Sequence, residues 1–99
     1  MNSKLEVLLD VQFEGMYHIL RDLKWNVTTV TKLWGPTKEG RHDDKVIEHG
    51  QSNKNCVVVT QDQGLIKRCE NLGIKVIGLE MDDLARMVDQ ILQKDYGRF

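Results

Sequence analysis

Short β-prone runs alternate four times with apolar residues at helical spacing, and few folds accommodate that rhythm. Residues 5–9 (LEVLL) and 27–31 (VTTVT) are the first two strand candidates. Residues 56–60 (CVVVT) put three valines in a row, the mark of a strand buried on both faces. Residues 74–79 (IKVIGL) supply a fourth. Between the first two, Phe13, Met16, Tyr17, Leu20 and Leu23 predict an amphipathic helix over about 12–24. Gly15 costs that helix roughly 1 kcal/mol, which close packing or a first-turn position would excuse. His42-Asp43-Asp44 opens a helix through Ile47 to about Gln51, with acids where the macrodipole favours them; Gly50 and Asn53 read as stop signals. Leu65, Ile66, Cys69 and Leu72 mark a third helix, closed by Gly73. Leu84, Val88, Ile91 and Leu92 mark the last, starting at Asp82 or Asp83. The segment 32–41 (KLWGPTKEGR) is the one real loop, and the tail 95–99 is expected to be loose.

The order βαβαβαβα predicts an α/β fold with a parallel sheet and helices on both faces. Right-handed crossovers leave a short list of strand orders. Covering both faces selects 2-1-3-4, a four-stranded, doubly wound, three-layer α/β/α arrangement. The 99 residues fit a single domain spanning 1–99. No apolar run exceeds four residues, so no membrane span is expected. The N-terminal MNSKLEVLLD lacks an apolar signal core and reads as a strand. Cys56 and Cys69 sit beside apolar residues without metal-type pairing, as buried thiols of a cytoplasmic protein would. A net charge of −1 argues against nucleic-acid binding through bulk charge. A nuclease with a carboxylate centre and a local basic rim remains compatible with it.

In a parallel sheet the C-terminal strand ends share one edge, and ligands bind there, where the winding reverses. The residues after each strand are Asp10, then the loop and helix start to Asp44, then Asp62, then Glu80 with Asp82 and Asp83. Order 2-1-3-4 makes strands one and three neighbours about 4.8 Å apart. Asp10 and Asp62 then face each other, and Asp44 enters from the following helix. Three acids in so small a volume repel, and a divalent cation removes the conflict. Mg²⁺ or Mn²⁺ prefers such oxygen donors and can activate water for phosphodiester cleavage. The competing role for each acid is an N-cap, worth about 1 kcal/mol. Asp82 and Asp83 are read as caps, being on an edge strand. Lys38, Arg41 and Lys45 lie near the crevice and could hold RNA phosphates while Trp34 stacks on a base. Otherwise they form a solvated loop with Trp34 folded onto the sheet. Lys67, Arg68, His18 and His49 read as helix-surface residues, and Trp25 as a packed one.

LLDVQ at 8–12, DDKVIEHG at 43–50 and VVVTQD at 57–62 resemble the short PIN-like proteins of prokaryotes. Those carry a strand ending in Leu-Leu-Asp, an Asp-x-x-Ile helix and a strand ending in Thr-x-Asp. The resemblance covers about residues 4–79. It implies a metal-dependent ribonuclease, often the toxin of a toxin–antitoxin pair. RNA, Mg²⁺ or Mn²⁺ and an antitoxin protein are the implied partners, with a homodimer as a compatible assembly. Asp10, Asp44 and Asp62 match the family's metal-binding acids, and Asp43 is the fallback for Asp44. Gln12 stands where the family has Asn, and Gly64-Leu65 where it has a second Asp and Phe. Glu39 lies in the stretch from which longer relatives supply a glutamate. This thinner acidic set opens a second expectation, a weakly active or inactive binding or assembly module. A phosphoacceptor receiver domain needs an acid pair at strand one, a late lysine and a fifth strand, none of which is found.

Overall fold

In the computed structural model, which describes residues 5–36 and 42–97, four strands form one parallel sheet in the order β2-β1-β3-β4. They are β1 (Glu6–Leu9), β2 (Asn26–Thr29), β3 (Cys56–Thr60) and β4 (Lys75–Gly78). The helices are α1 (Tyr17–Asp22), α2 (Val30–Trp34), α3 (Asp43–Ser52), α4 (Gln63–Asn71) and α5 (Met81–Tyr96). A 3-10 stretch, Val11–Met16, precedes α1. The step from β1 to β2 runs opposite to the later steps, so right-handed crossovers put α1 on one face and α3 and α4 on the other. The expected fold class, sheet and strand order are those observed.

Strand alternation distributes the core between the two faces. Leu8, Cys56 and Val58 point toward α3 and α4, where they meet Val46, Ile47, Leu65, Cys69 and Ile74. Val7, Leu9, Val57 and Val59 point the other way, against Phe13, Met16, Tyr17 and Leu20. All five residues of β3 are buried, as its unbroken apolar run requires. Register sets Glu6 of β1 opposite Cys56 of β3, and Leu9 opposite Val59.

Local hydrogen bonds explain where the elements depart from periodicity. The helix expected over 12–24 is instead a 3-10 stretch to Met16 followed by α1 from Tyr17, and Phe13 kinks the first part at φ −116° and ψ 16°. The Phe13 N–H is bonded to the Asp10 carbonyl at 2.9 Å, tying the start of the 3-10 stretch to the end of β1. Close packing does not excuse Gly15, since a Cβ there would meet nothing within 4 Å. The run 27–31 stops being a strand at Thr29, whose Oγ1 accepts the Lys32 N–H at 3.0 Å and caps α2. So part of the expected loop is helix. Gly50 is no stop signal; it lies inside α3, where a Cβ would come within 2.7 Å of Ile74 Cγ2.

The last helix departs furthest from expectation. It begins at Met81 with a capping box between Glu80 and Asp83 and ends at Gly97, which adopts a left-handed φ of 61°. Asp95 and Tyr96, expected in a loose tail, are therefore helical, while Phe99 lies outside the described residues. No residue of α5 is buried: Leu84 is partly covered, while Met81, Met87, Val88, Ile91, Leu92 and Tyr96 are exposed, from 44% at Leu92 to 76% at Tyr96. The sheet face over β3 and β4 on the α1 side is left open, so this outer layer is only half built. The radius of gyration of 15.2 Å exceeds the roughly 13 Å of a compact chain this long, because α5 projects. Among the described residues no helix is long and apolar enough to cross a membrane.

Candidate functional site

The C-terminal edge of the sheet is built around two carboxylates and one hydroxyl. The Asp10 N–H extends the ladder from β1 to the Val59 carbonyl at 2.9 Å, which fixes its backbone beside β3. Its side chain is only 8% exposed. Oδ1 accepts the Val11 N–H at 2.8 Å, and Oδ2 accepts the Thr60 hydroxyl at 2.6 Å. Thr60, fully buried at the end of β3, accepts the Asp62 N–H at 3.0 Å on the same oxygen. A relay from Asp62 through Thr60 to Asp10 thus locks the two strand ends together. Asp62 also caps α4, its Oδ1 accepting the Leu65 N–H at 3.0 Å. Gln12 Oε1 accepts the Gln61 N–H at 3.4 Å across the mouth of the crevice.

Asp44 does not join them. Its carboxylate is 94% exposed and accepts from Arg68 Nη2 of α4 at 2.9 Å. Helical phase is the reason. The buried stripe of α3 is Val46, Ile47 and Gly50, which lie three, four and seven residues after Asp43. Asp43 shares that inward face and is half-buried, while Asp44 is turned about 100° toward solvent. The Asp43 charge is felt at Cys69, whose thiol is raised chiefly by burial. Neither acid completes a triad at metal-ligand spacing. Among the described residues, the only three His, Cys, Asp or Glu side chains with donor atoms all within 4.8 Å are Glu6, His49 and Cys56.

The expected substrate-binding residues divide similarly. Lys38, Arg41 and Glu39 lie outside the described residues, and Lys45 is exposed on α3. Trp34 is folded against the core under α3 and α4, with its ring edge-on to His49 at 5.9 Å. This inward packing takes the ring away from base stacking. His42 faces the same indole at 6.0 Å and hydrogen-bonds the Gly35 carbonyl at 3.3 Å. Arg68, read as a plain surface charge, is the partner of Asp44. Trp25, expected to pack, is 51% exposed.

The Glu6, His49 and Cys56 group sits at the opposite edge, where β1 and β3 begin. Glu6 Oε1 contacts His49 Nε2 at 2.7 Å and accepts from Asn53 Nδ2 at 3.2 Å. Burial, then the Glu6 charge, pushes the Cys56 thiol up to about 12. The thiol therefore keeps its proton near neutrality in the metal-free protein and is a poor nucleophile. The group supplies hydrogen-bond partners to a half-buried acid at the edge away from the ligand crevice. The sequence signal was Glu6 itself, a charge at an inward position of a β-run in phase with Leu8. His49, read as a helix-surface residue, answers it.

No protein-family model, curated protein or solved structure shows a significant match to the chain. The functional reading therefore rests on the chemistry of the C-terminal edge.

Proposed function

We propose that the chain is a PIN-like ribonuclease dependent on Mg²⁺ or Mn²⁺, with Asp10 and Asp62 as its metal-holding acids. One observation carries this reading. Asp10 is a buried carboxylate at the ligand-binding edge, and among the described residues no basic side chain pairs with it. Buried charges are ordinarily paired or metal-bound. The donors at hand are hard oxygens, from Asp10, Asp62 and the side-chain amide of Gln12, which suits Mg²⁺ or Mn²⁺ rather than zinc. Each Asp10 oxygen keeps a second lone-pair direction beyond its one hydrogen bond. A cation held there would acidify a water and stabilise charge developing on a phosphodiester.

The chain's own groups position the rest. Thr60 fixes the Asp10 carboxylate, and the N-terminus of α4 at Asp62 offers a positive dipole end to a phosphate. In this reading Lys45, exposed on α3, contributes charge toward the RNA backbone, and Asp43, on the inward face of the same helix, is the acid best phased to assist. A toxin role would add an antitoxin protein as partner. The two buried free thiols support a reducing, cytoplasmic setting.

The outward pairing of Asp44 with Arg68 favours a second reading, a weakly active or inactive binding or assembly module. Titration calorimetry with Mn²⁺, joined to cleavage of single-stranded RNA, separates the two. Asp10→Asn should weaken Mn²⁺ binding by on the order of tenfold or more, as expected when a charged ligand is lost. Asp62→Asn, which preserves a good N-cap, should lower RNA cleavage comparably. Mn²⁺ binding with equal residual cleavage in both proteins would select the module. No binding by the wild type would remove the metal site.

A further inference from the structure

Among the described residues two apolar surfaces lack a partner, and they complement each other. The first is a groove of about 290 Å³ on the open sheet face, lined by Leu20, Trp25, Val57, Val59, Ile77 and Leu79. Trp25 and Ile77, at its rim, are 51% and 48% exposed. The second is the stripe Leu84, Val88, Ile91 and Leu92 of α5, flanked by Met81 and Met87. Asp82, Arg86, Asp89, Gln90 and Gln93 occupy the other side of that helix, so one face is built for burial and one for water. Apolar area on this scale in one small chain marks an interface.

We propose that the chain works as a homodimer in which α5 of each copy lies in the sheet groove of the other. Within one copy no residue of α5 lines the groove. The Leu79 N–H is tied to the Thr60 carbonyl at 3.0 Å, and the Glu80–Asp83 capping box starts the helix immediately afterwards, leaving a short connection. Each copy brings one groove and one stripe, so a single two-fold exchange closes both pairs with nothing left over. Laid on the sheet, a helix of 16 residues covers ~24 Å by ~10 Å. Two reciprocal footprints counted on both copies bury on the order of 1,000 Å², where specific assemblies begin. The exchange also completes the missing half of the outer layer.

The test uses the full chain. Light scattering should report a dimer for the wild type and a monomer for Val88→Asp, whose dimer dissociation constant should rise by on the order of a hundredfold as an unpaired charge enters the groove. Val88 is 55% exposed within one copy, so this variant should keep the wild-type circular dichroism. Mixing Ile77→Cys chains with Val88→Cys chains under mild oxidation should give a covalent dimer. A wild-type monomer at every concentration, or a dimer indifferent to Val88→Asp, would overturn the exchange. So would a monomeric cross-link in the Ile77→Cys/Val88→Cys double variant, which would place α5 on its own sheet.

Discussion

Thr60 is the residue through which the two strand ends are coupled. Its single oxygen donates to Asp10 and accepts from Asp62, and it is fully buried, so water cannot replace either bond. Thr60→Val keeps the shape and removes both. Leaving a buried carboxylate and an N–H without these partners should cost about 1–3 kcal/mol in a urea melt. Thr60→Ser should recover most of that loss, which separates the hydrogen bonds from the packing of the methyl group. Mn²⁺ affinity should follow the same order, because Asp10 would lose the bond that orients it. Asp44→Asn removes only an exposed ion pair and should change stability by less than about 1 kcal/mol.

Among the elements, β3 was the most legible, because an unbroken run of buried valines has one environment that suits it. Strand β2 was less so. Thr29 has the propensity of a strand residue, but its hydroxyl caps α2, and propensity alone does not show that competition. The acids of α3 were legible in kind and misplaced in phase. Asp10, Asp62 and the helix start were all visible, but choosing Asp44 over Asp43 followed a motif register rather than the buried stripe Val46, Ile47 and Gly50. Glycines mark close approach only where two elements meet. A Cβ on Gly78 would lie 2.5 Å from Ile66 Cδ1 of the packed α4, and none would crowd Gly15. Gly78→Ala should therefore destabilise by about 1–3 kcal/mol. Gly15→Ala should stabilise by up to about 1 kcal/mol. Thermal unfolding of the two variants checks both signs.

At the scale of the whole molecule, the chain pairs a finished face under α3 and α4 with an unfinished one beside α5. Sequence periodicity marked an apolar stripe on α5; it could not show that the stripe is left exposed within one copy. The finished face carries the pH response. Cys56 is held near 12 and Cys69 is also raised, so both thiols keep their protons in the folded state above the pH at which the unfolded chain releases them. The Cys56 contribution is intact below the unfolded thiol value near 9 and is lost as pH climbs toward 12. For Cys56 stability should fall by up to about 1.4 kcal/mol per pH unit in that window, and Cys69 adds to the fall in the same direction. Cys56→Ala should flatten the alkaline slope of the urea midpoint. The central claim concerns the opposite end of the same strand, where Asp10 and Asp62 are taken to hold a hard cation. Anomalous diffraction from a crystal soaked in Mn²⁺ tests it most directly. The account predicts a peak beside Asp10 and Asp62 at the C-terminal edge. A peak at Glu6, His49 and Cys56 with none at Asp10, or no peak at all, would contradict it.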